Sequence, residues 1–431
     1  MFVLKRSLIL FLLLFALTGA KRSPKQYPKP IPLASIHIVD RNGFSETISN
    51  KDRLNQYQLV DFQKPQPYQK VLRVYARDSK GNVRSIVSSY HSNGNPKQFL
   101  EIVNGRALGS YREWHENGNM GVSAKVIGGM ADITQVAEHS WLFDGISTAW
   151  DEDGHIIAEI PYSQGVLEGV AVYYHSNGNV WKRIPYIKGD VEGNTEIFKE
   201  TGELLQQITY EHNSKHGPSL RFWEPNLVSS QEEFIEGKLD NAQYFDRKGV
   251  LLSEVKNGTG FRTTFGKESL YELQEYKYGI MEGVVKVYTP QGRLKRLYHV
   301  QNNQKHGEEF EYYDLLTDCS SSTPQSKISF AWYEGKIHGP MKTWYPNGNV
   351  ECQREMSNNR KNGIATIWYR DGNLMMIEEY EQDKLVRGDY FRKGEKIPAS
   401  QIVQGKGTVT TFDPEGRFVQ KIPYVNGKPD E

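Results

Sequence analysis

The stretch from Gly165 to Gly193 decides the fold, and it reads G-V-L-E-G-V-A-V-Y-Y-H-S-N-G-N-V-W-K-R-I-P-Y-I-K-G-D-V-E-G. Two turn signals divide it, a Gly-x-x-x-Gly motif at 165–169 and Ser-Asn-Gly-Asn at 176–179. The runs between the turn signals, 170–175 and 180–187, are rich in Val, Ile, Tyr and Trp. Because Asn and Gly tolerate the positive φ angles of tight turns, the pattern predicts a β-hairpin unit of 24 residues.

This unit recurs along most of the chain. The second Gly of the Gly-x-x-x-Gly motif is a convenient marker, and the eleven predicted turn glycines at this position are Gly109, Gly145, Gly169, Gly193, Gly217, Gly260, Gly283, Gly307, Gly339, Gly363 and Gly407. Five residues after each marker stands an aromatic residue: Trp114, Trp150, Tyr174, Phe198, Phe222, Phe265, Tyr288, Tyr312, Trp344, Trp368 and Phe412. Only 12% of the chain is aromatic, so this agreement is not chance. Seven residues before most markers stands another large apolar residue, such as Tyr162 or Tyr186.

A single hairpin of this size is not stable alone, so the hairpins must stack on their neighbours. The sequence therefore predicts an all-β fold, an elongated single-layer array of about thirteen antiparallel β-hairpins over residues 83–427. Residues 33–82 lie outside the repeat and are predicted to form a small N-terminal cap over the first strand edge.

Two insertions interrupt the repeat, near residues 126–136 and near residues 314–327, and weaker units surround Asn241 and Gly388. Insertions on a regular scaffold often carry binding specificity. Extra surface residues that the fold tolerates without a binding role explain either insertion equally well, so both interpretations stay open.

The first 20 residues have the pattern of a secretory signal peptide. Lys5 and Arg6 precede an apolar run from Leu8 to Leu17, and Thr18-Gly19-Ala20 offers a small-residue cleavage site. An uncleaved short anchor is the alternative. Residues 21–32 follow as a basic, Pro-rich linker. The sequence thus predicts export to the periplasm or cell envelope, or secretion.

The chain has two cysteines, Cys319 and Cys352. They fall at nearly the same point of neighbouring repeat units, where strands about 5 Å apart would bring them within bridging reach. A one-residue difference in phase would instead place them on opposite faces. A disulfide and two unpaired buried thiols are therefore both open.

Composition and motifs argue against catalysis. The chain has 53 Lys and Arg against 52 Asp and Glu, so no overall field favours nucleic acid. The histidines recur at fixed repeat positions, for example His115 and His175, and equivalent positions in neighbouring hairpins lie too far apart for one metal ion. We therefore expect no enzyme activity, no metal site and no cofactor.

The pattern Y-x-x-G-x-x-x-G-x-x-x-x-Y/W-x-x-x-G-x, found from Tyr162 to Asn179 and from Trp332 to Asn349, resembles the MORN repeat. It is most similar to the variant found in bacterial proteins of the YwqK-type antitoxin group. The resemblance covers about residues 83–427. It implies an array of β-hairpins that serves as a scaffold for protein contacts, sometimes self-associating or near membranes.

The resulting functional expectation is an exported, non-enzymatic scaffold that binds an unidentified protein partner. A peripheral membrane or phospholipid-binding module is the first alternative. A self-assembling envelope protein, joined through the last strand edge near 418–425, is the second. The aromatic rows either form a binding face or only cover the thin sheet.

Overall fold

The structure, a computed structural model, describes residues 31–267, 269–314 and 324–430. The predicted signal peptide, residues 21–30 of the linker, Cys319 and most of the second insertion lie outside the described residues. Strands account for 63% of these described residues and helices for 2%. The two short helices are α1 (Lys51–Leu54) and α2 (Gln135–Glu138).

Within the described residues, thirty-six strands follow one another in chain order. The first group is β1 (Leu33–Val39), β2 (Ser45–Ile48), β3 (Lys70–Tyr75), β4 (Arg84–Tyr90), β5 (Pro96–Val103), β6 (Arg106–Trp114), β7 (Met120–Gly128), β8 (Leu142–Phe143), β9 (Gly145–Trp150), β10 (Ile156–Ser163), β11 (Val166–Leu167) and β12 (Gly169–Tyr174). The second group is β13 (Val180–Ile187), β14 (Asp190–Val191), β15 (Gly193–Phe198), β16 (Leu204–Glu211), β17 (Ser214–Glu224), β18 (Leu227–Ile235), β19 (Lys238–Phe245), β20 (Leu251–Lys256), β21 (Thr259–Phe265), β22 (Leu270–Lys277), β23 (Ile280–Tyr288) and β24 (Leu294–Gln301). The last group is β25 (Gln304–Lys305), β26 (Gly307–Tyr312), β27 (Ser326–Tyr333), β28 (Lys336–Trp344), β29 (Val350–Ser357), β30 (Arg360–Trp368), β31 (Leu374–Glu381), β32 (Lys384–Phe391), β33 (Pro398–Val403), β34 (Lys406–Phe412), β35 (Phe418–Val425) and β36 (Lys428–Pro429).

All these strands belong to one antiparallel sheet. Successive strands pair along the chain, and β1 lies between β2 and β3, so β2 is one edge of the sheet. At the other end β35 pairs with β34 and with the short β36. The sheet is long and open, which confirms the predicted all-β hairpin array.

Two kinds of turn alternate along this sheet. Two-residue turns have positive φ at both positions, as at Gln164 (φ 51°) and Gly165 (φ 87°), which is the geometry that matches the twist of paired strands. Five-residue turns begin at residues such as His175, whose N–H donates to the Asn179 carbonyl at 2.8 Å. Because the two kinds alternate, each kind lines one of the two long sides of the sheet.

The marker glycines do not lie in these turns, which corrects the sequence interpretation. Gly169 begins β12 and pairs with Tyr186 of the next strand, while the turn itself is formed by Gln164 and Gly165. All eleven markers have φ between 80° and 142°. They are needed for a backbone conformation within the strand that L side chains rarely adopt, so the Gly-x-x-x-Gly motif combines a turn with an in-strand kink.

The regular hairpins have a thin interior. The large apolar residue seven positions before most markers pairs across the strands with a residue just after the two-residue turn, as Tyr162 does with Leu167 and Tyr186 with Val191. Small side chains lie beneath this row, and Ala171 is completely buried. The row therefore provides most of the apolar burial that a single-layer sheet allows.

At two places the sheet curls around a small core of its own. Gly258 donates to the Asp240 carbonyl, Gly279 donates to the Gly258 carbonyl at 3.0 Å, and the Leu239 N–H donates back to the Gly279 carbonyl at 3.1 Å. These bonds bring the ends of three successive hairpins together around a cluster of Phe234, Leu239, Ala242, Tyr244 and Val255.

The same closure recurs 146 to 148 residues later, through Leu385, Gly405 and Gly427, around a cluster that includes Tyr390 and Ile402. The two curled segments coincide with the weak repeats that the sequence analysis located around Asn241 and Gly388.

The first insertion packs onto the sheet. Strand β7 runs through Gly128, so residues 126–128 of the predicted insertion belong to the sheet. Beyond it, Ile133, Ala137 and Trp141 are buried, and the Trp141 ring centroid lies 4.7 Å from that of Tyr111. The Trp141 indole N–H donates to the Met130 carbonyl at 2.9 Å. This packing fixes the insertion on the sheet, and a role in binding specificity stays a prediction.

Candidate interaction surface

The five-residue turns are tied to one another by side chains. His175 Nε2 lies 3.0 Å from the carbonyl oxygen of Phe198 in the next hairpin, and the Tyr345 hydroxyl donates to the Trp368 carbonyl at 2.8 Å. A carbonyl can only accept, so the bonded imidazole nitrogen must carry the proton. Equivalent bonds to the next hairpin start at His91, His115, Lys199, Trp223, Tyr313 and Tyr369.

The Asn residues of the Asn-Gly-Asn motif make a second set of such bonds. The side-chain amides of Asn177 and Asn179 both donate to the Glu200 carbonyl, at 2.8 and 2.7 Å. The same pair of bonds recurs in three more turns, at Asn93 and Asn95, Asn117 and Asn119, and Asn347 and Asn349. Sequence reasoning missed this role, although the fixed spacing of His, Asn and Asn is the signal that reveals it.

The opposite side of the sheet, formed by the two-residue turns, is also linked. The residue before a marker Gly accepts from a turn N–H of the next hairpin, as Glu168 does from Lys188 at 2.8 Å and Glu192 does from His212 at 2.9 Å. The turns on both long sides of the sheet are therefore already hydrogen-bonded to neighbouring hairpins. The two faces of the sheet are left as the main surfaces for recognition.

The eleven phased aromatics are all half-buried. Their backbone carbonyls accept many of the bonds described above, and their rings contact neighbouring side chains. The Arg183 guanidinium, for example, lies 5.1 Å from the Phe198 ring centroid, and the Tyr174 hydroxyl donates to Glu159 at 2.6 Å. These contacts favour the covering role of the rings over a freely exposed binding row.

A contiguous exposed apolar surface lies on four neighbouring strands, β9, β10, β12 and β13. Ile146 pairs opposite Pro161, and Val170 pairs opposite Pro185. Ile146 is 64% exposed and Val170 is 50% exposed. We call these four residues the apolar row. Contiguous exposed apolar groups are typical of interaction sites, whereas single exposed ones are not.

A cleft of about 800 Å³ crosses β22, β23, β24, β26 and β27 beside the second insertion. Its lining includes the cations Lys267, Lys295, Arg296 and Lys327, the carboxylates Glu311 and Asp314, and the rings of Tyr271, Tyr288, Tyr312 and Tyr313. Burial raises the pKa of the Tyr288, Tyr312 and Tyr313 hydroxyls. We call this site the lysine cleft.

The turn beside the lysine cleft lacks the bond that His175 makes in its own turn. Thr289 occupies the position of His175, but its hydroxyl accepts from Arg293 N–H within the same turn at 3.2 Å. The next hairpin is linked here by a different residue, since the Arg293 Nε–H donates to Asp314 Oδ1 at 2.7 Å.

The described residues include one group with metal-like spacing, Asp151, Asp153 and His155. Asp151 Oδ1 accepts from the backbone N–H groups of Asp153 and His155, at 3.0 and 2.8 Å. These bonds lower the pKa of the Asp151 carboxyl, with the His155 N–H as the main cause. The same arrangement recurs at Asp246 and Asp413, so it is a turn-stabilising device.

The buried charges also have structural partners. Glu232, in the first curled segment, accepts from the Arg262 Nε–H and from the Tyr244 hydroxyl, both at 2.8 Å. The corresponding Glu378 in the second curled segment accepts from the hydroxyls of Tyr380 and Tyr390, at 2.9 and 2.8 Å. Burial raises the pKa of Tyr244 and of Tyr390. Tyr244 and Tyr390 are fully buried, whereas Glu232 also lines a cleft of about 420 Å³.

Cys352 is buried on β29. Cys319 lies outside the described residues, so its pairing with Cys352 stays a prediction.

The sequence profile of the MORN repeat variant matches residues 143–164, 167–188, 337–358 and 361–382. The chain contains MORN repeats of this variant type at these four positions. The first curled segment lies outside the four matched segments, and the second overlaps the last match, which contains Glu378 and Tyr380. MORN repeats are generally protein- or membrane-interaction modules and are non-catalytic.

Three solved structures show similarity at low identity. They are TcdB2-TccC3 without its hypervariable C-terminal region (12% identity, TM-score 0.14, 86% of this chain and 21% of that chain), TcdB2-TccC3-TEV (11%, 0.13, 90% and 24%) and a porin-like protein from Bacteroides uniformis (11%, 0.16, 56% and 93%). The chain thus spans less than a quarter of the length of the two TcdB2-TccC3 chains. At these TM-scores the similarities support no functional conclusion. No curated protein matches the chain significantly.

Neither helix in the described part of the chain has the length and apolar character needed to span a bilayer.

Proposed function

We propose that this MORN repeat protein is an exported, non-enzymatic scaffold that mediates protein–protein interaction in the cell envelope or outside the cell. The observation that carries this proposal is the apolar row of Ile146, Pro161, Val170 and Pro185. Ile146 and Val170 remain exposed and Pro161 and Pro185 are half-buried, although the inter-hairpin bonds already complete the sheet around them. A protein partner that covers the row would remove this apolar surface from water.

The signal-like sequence at 1–20 supports export, and the repeat family supports an interaction role. Cell fractionation with N-terminal sequencing of the mature protein tests the export part. Cleavage near Ala20 together with recovery from the envelope or the medium is expected. Recovery of an uncleaved chain from the cytoplasm would refute export.

Cross-linking and pull-down of residues 21–431 from envelope extracts test the interaction part. We expect the wild-type chain to recover a discrete protein, and we expect the Ile146→Glu/Val170→Glu variant to lose it. Ile364→Glu is a matched control, because Ile364 is 53% exposed and also follows a marker Gly directly. Equal recovery by all three forms would show that the apolar row is not the binding surface.

A peripheral membrane module is the second candidate, favoured by the basic linker 21–32 and by the membrane role of some MORN repeats. It predicts that the chain floats with anionic liposomes and that deletion of the linker abolishes flotation. A chain that stays at the bottom of the gradient with anionic lipid contradicts this candidate.

Self-assembly is the third candidate. Among the described residues, the outer edge of β35 is paired only at Tyr424 and Val425. An unpaired strand edge is a template for another strand. Light scattering should then show oligomers that Lys421→Pro disrupts, since the backbone groups of Lys421 point outward like the Pro423 carbonyl and proline removes the N–H donor. A monomer at all concentrations excludes this assembly.

A further inference from the structure

The lysine cleft has the features of a ligand site that the repeat scaffold does not need. Lys267, Lys295 and Lys327 are exposed along its wall, and within the described part of the chain none of them forms an ion pair. Arg296, in contrast, is already engaged, since it lies 3.9 Å from Glu309 and 5.5 Å from the Tyr298 ring centroid. Three cations are therefore available to an anionic ligand.

The cleft also offers aromatic surface beside these cations. Tyr271 is 50% exposed although it belongs to a strand within the sheet, and Lys327 Nζ lies 6.0 Å from the Tyr313 ring centroid. Half-exposed rings next to cations suit a ligand that carries both carboxylates and a flat apolar group. The volume of about 800 Å³ lies within the range of about 300–1,000 Å³ typical of ligand clefts.

We infer that the lysine cleft binds an extended acidic peptide segment that contains an aromatic residue. The recessed shape favours a peptide over a bilayer, because a flat membrane surface cannot enter a cleft between strands whereas an extended chain can. The carboxylates of the peptide pair with the three lysines, and its aromatic side chain packs on Tyr271. This inference rests on the proposed scaffold function and specifies the chemistry of the partner.

Fluorescence anisotropy with the mature chain, residues 21–431, tests the inference directly. The probe is a fluorescein-labelled peptide, Glu-Asp-Trp-Glu-Asp-Glu, and the reference probe replaces its acids with Gln and Asn. We expect the acidic probe to bind, its affinity to fall with added salt, and the neutral probe to bind at least tenfold more weakly.

Two triple variants distinguish the effect of the cleft lysines on affinity from the effect of the overall charge of the chain. K267Q/K295Q/K327Q should weaken binding about tenfold, because three exposed charge pairs are lost. K336Q/K384Q/K421Q removes the same charge from exposed lysines elsewhere and should change affinity less than twofold. Tyr271→Ala should reduce affinity for the Trp peptide and leave affinity for a Trp→Ala peptide unchanged.

Equal weakening by the two triple variants would overturn the inference, since it would show that only the overall charge matters. Absence of binding by the acidic probe at millimolar concentration would also overturn it. Binding to phosphatidylserine vesicles that the cleft triple variant abolishes, without peptide binding, would assign the site to lipid instead. The pull-down with Ile146→Glu/Val170→Glu reads out a different surface, so failure here is distinguishable from failure of the scaffold proposal.

Discussion

Replacement of a marker glycine by alanine should have effects that depend sharply on which marker is changed. Gly260 has φ of 142°, and a Cβ there would overlap the backbone carbonyl oxygen of Glu254. Gly145 has φ of 81°, and no atom lies within 4 Å of the position that its Cβ would take. Both glycines occupy the same repeat position, so the pair measures what the steric overlap and the more restricted φ at Gly260 cost together.

For Gly145→Ala we expect only the left-handed conformational cost of about 1–2 kcal/mol. For Gly260→Ala the conformation itself is essentially restricted to glycine and costs about 1–3 kcal/mol. Overlap with a backbone atom adds about 1–3 kcal/mol, because the neighbouring strand must shift. The sum is about 4 kcal/mol for Gly260→Ala.

Stability in a repeat array is a sum of local terms, so the assay must be local. Hydrogen exchange followed by mass spectrometry reports the opening free energy of peptides within 251–277 and within 145–163. We expect protection near Gly260 to fall by about a thousandfold and protection near Gly145 to fall by about tenfold, since 1.4 kcal/mol corresponds to a factor of ten. Equal losses in the two variants would refute the steric argument.

Four further outcomes follow from the same contacts. Gly283→Ala should have an intermediate cost, because the added Cβ overlaps only the flexible side chain of Glu275, and hydrogen exchange measures it. Trp141→Ala should destabilise the N-terminal cluster by about 3–5 kcal/mol in urea unfolding, whereas Trp181→Ala, at a 46% exposed side chain, should cost less than about 1 kcal/mol. Replacement of Asn177 and Asn179 by alanine should weaken that hairpin junction by about 1–3 kcal/mol in local hydrogen exchange, and an unchanged exchange rate would contradict the role given to these bonds. Burial raises the pKa of Tyr90 to about 12, so the folded state keeps this phenol protonated above the unfolded pKa of about 10. The stabilisation that the protonated phenol contributes is full below about pH 10 and is lost as the pH rises to about 12. The urea midpoint should therefore fall over this range, and it should fall less in Tyr90→Phe.

The regular hairpins were predictable because each is specified by residues close together in sequence. In the stretch 165–193, positive φ at the turns requires Gly, Asn or a tolerant residue, and alternation of Tyr, Val and Ile identifies the paired strands. The match of the MORN repeat variant to four segments has the same origin. The prediction that the marker glycines lie in turns was wrong, because a glycine in the sequence does not distinguish a turn from a kink within a strand.

The inter-hairpin bonds were not predictable in detail. The sequence shows that His175, Asn177 and Asn179 recur, but not that they reach carbonyl oxygens 21 to 23 residues later. Whether these side chains reach the carbonyl oxygens depends on the distance between neighbouring hairpins in the folded sheet. The lysine cleft is harder still, since its three lysines come from three different hairpins and have no common motif.

The sequence by itself determined the repeating unit, its strand content and its order along the chain, because backbone φ preferences and strand alternation are local properties. Only the tertiary structure decided where the array curls. A backbone bond such as Leu239 to Gly279 joins residues 40 apart and depends on how several strands twist together. Exposure also depends on the assembled sheet: Ile146 and Phe261 each follow a marker Gly directly, yet Ile146 is 64% exposed and Phe261 is half-buried.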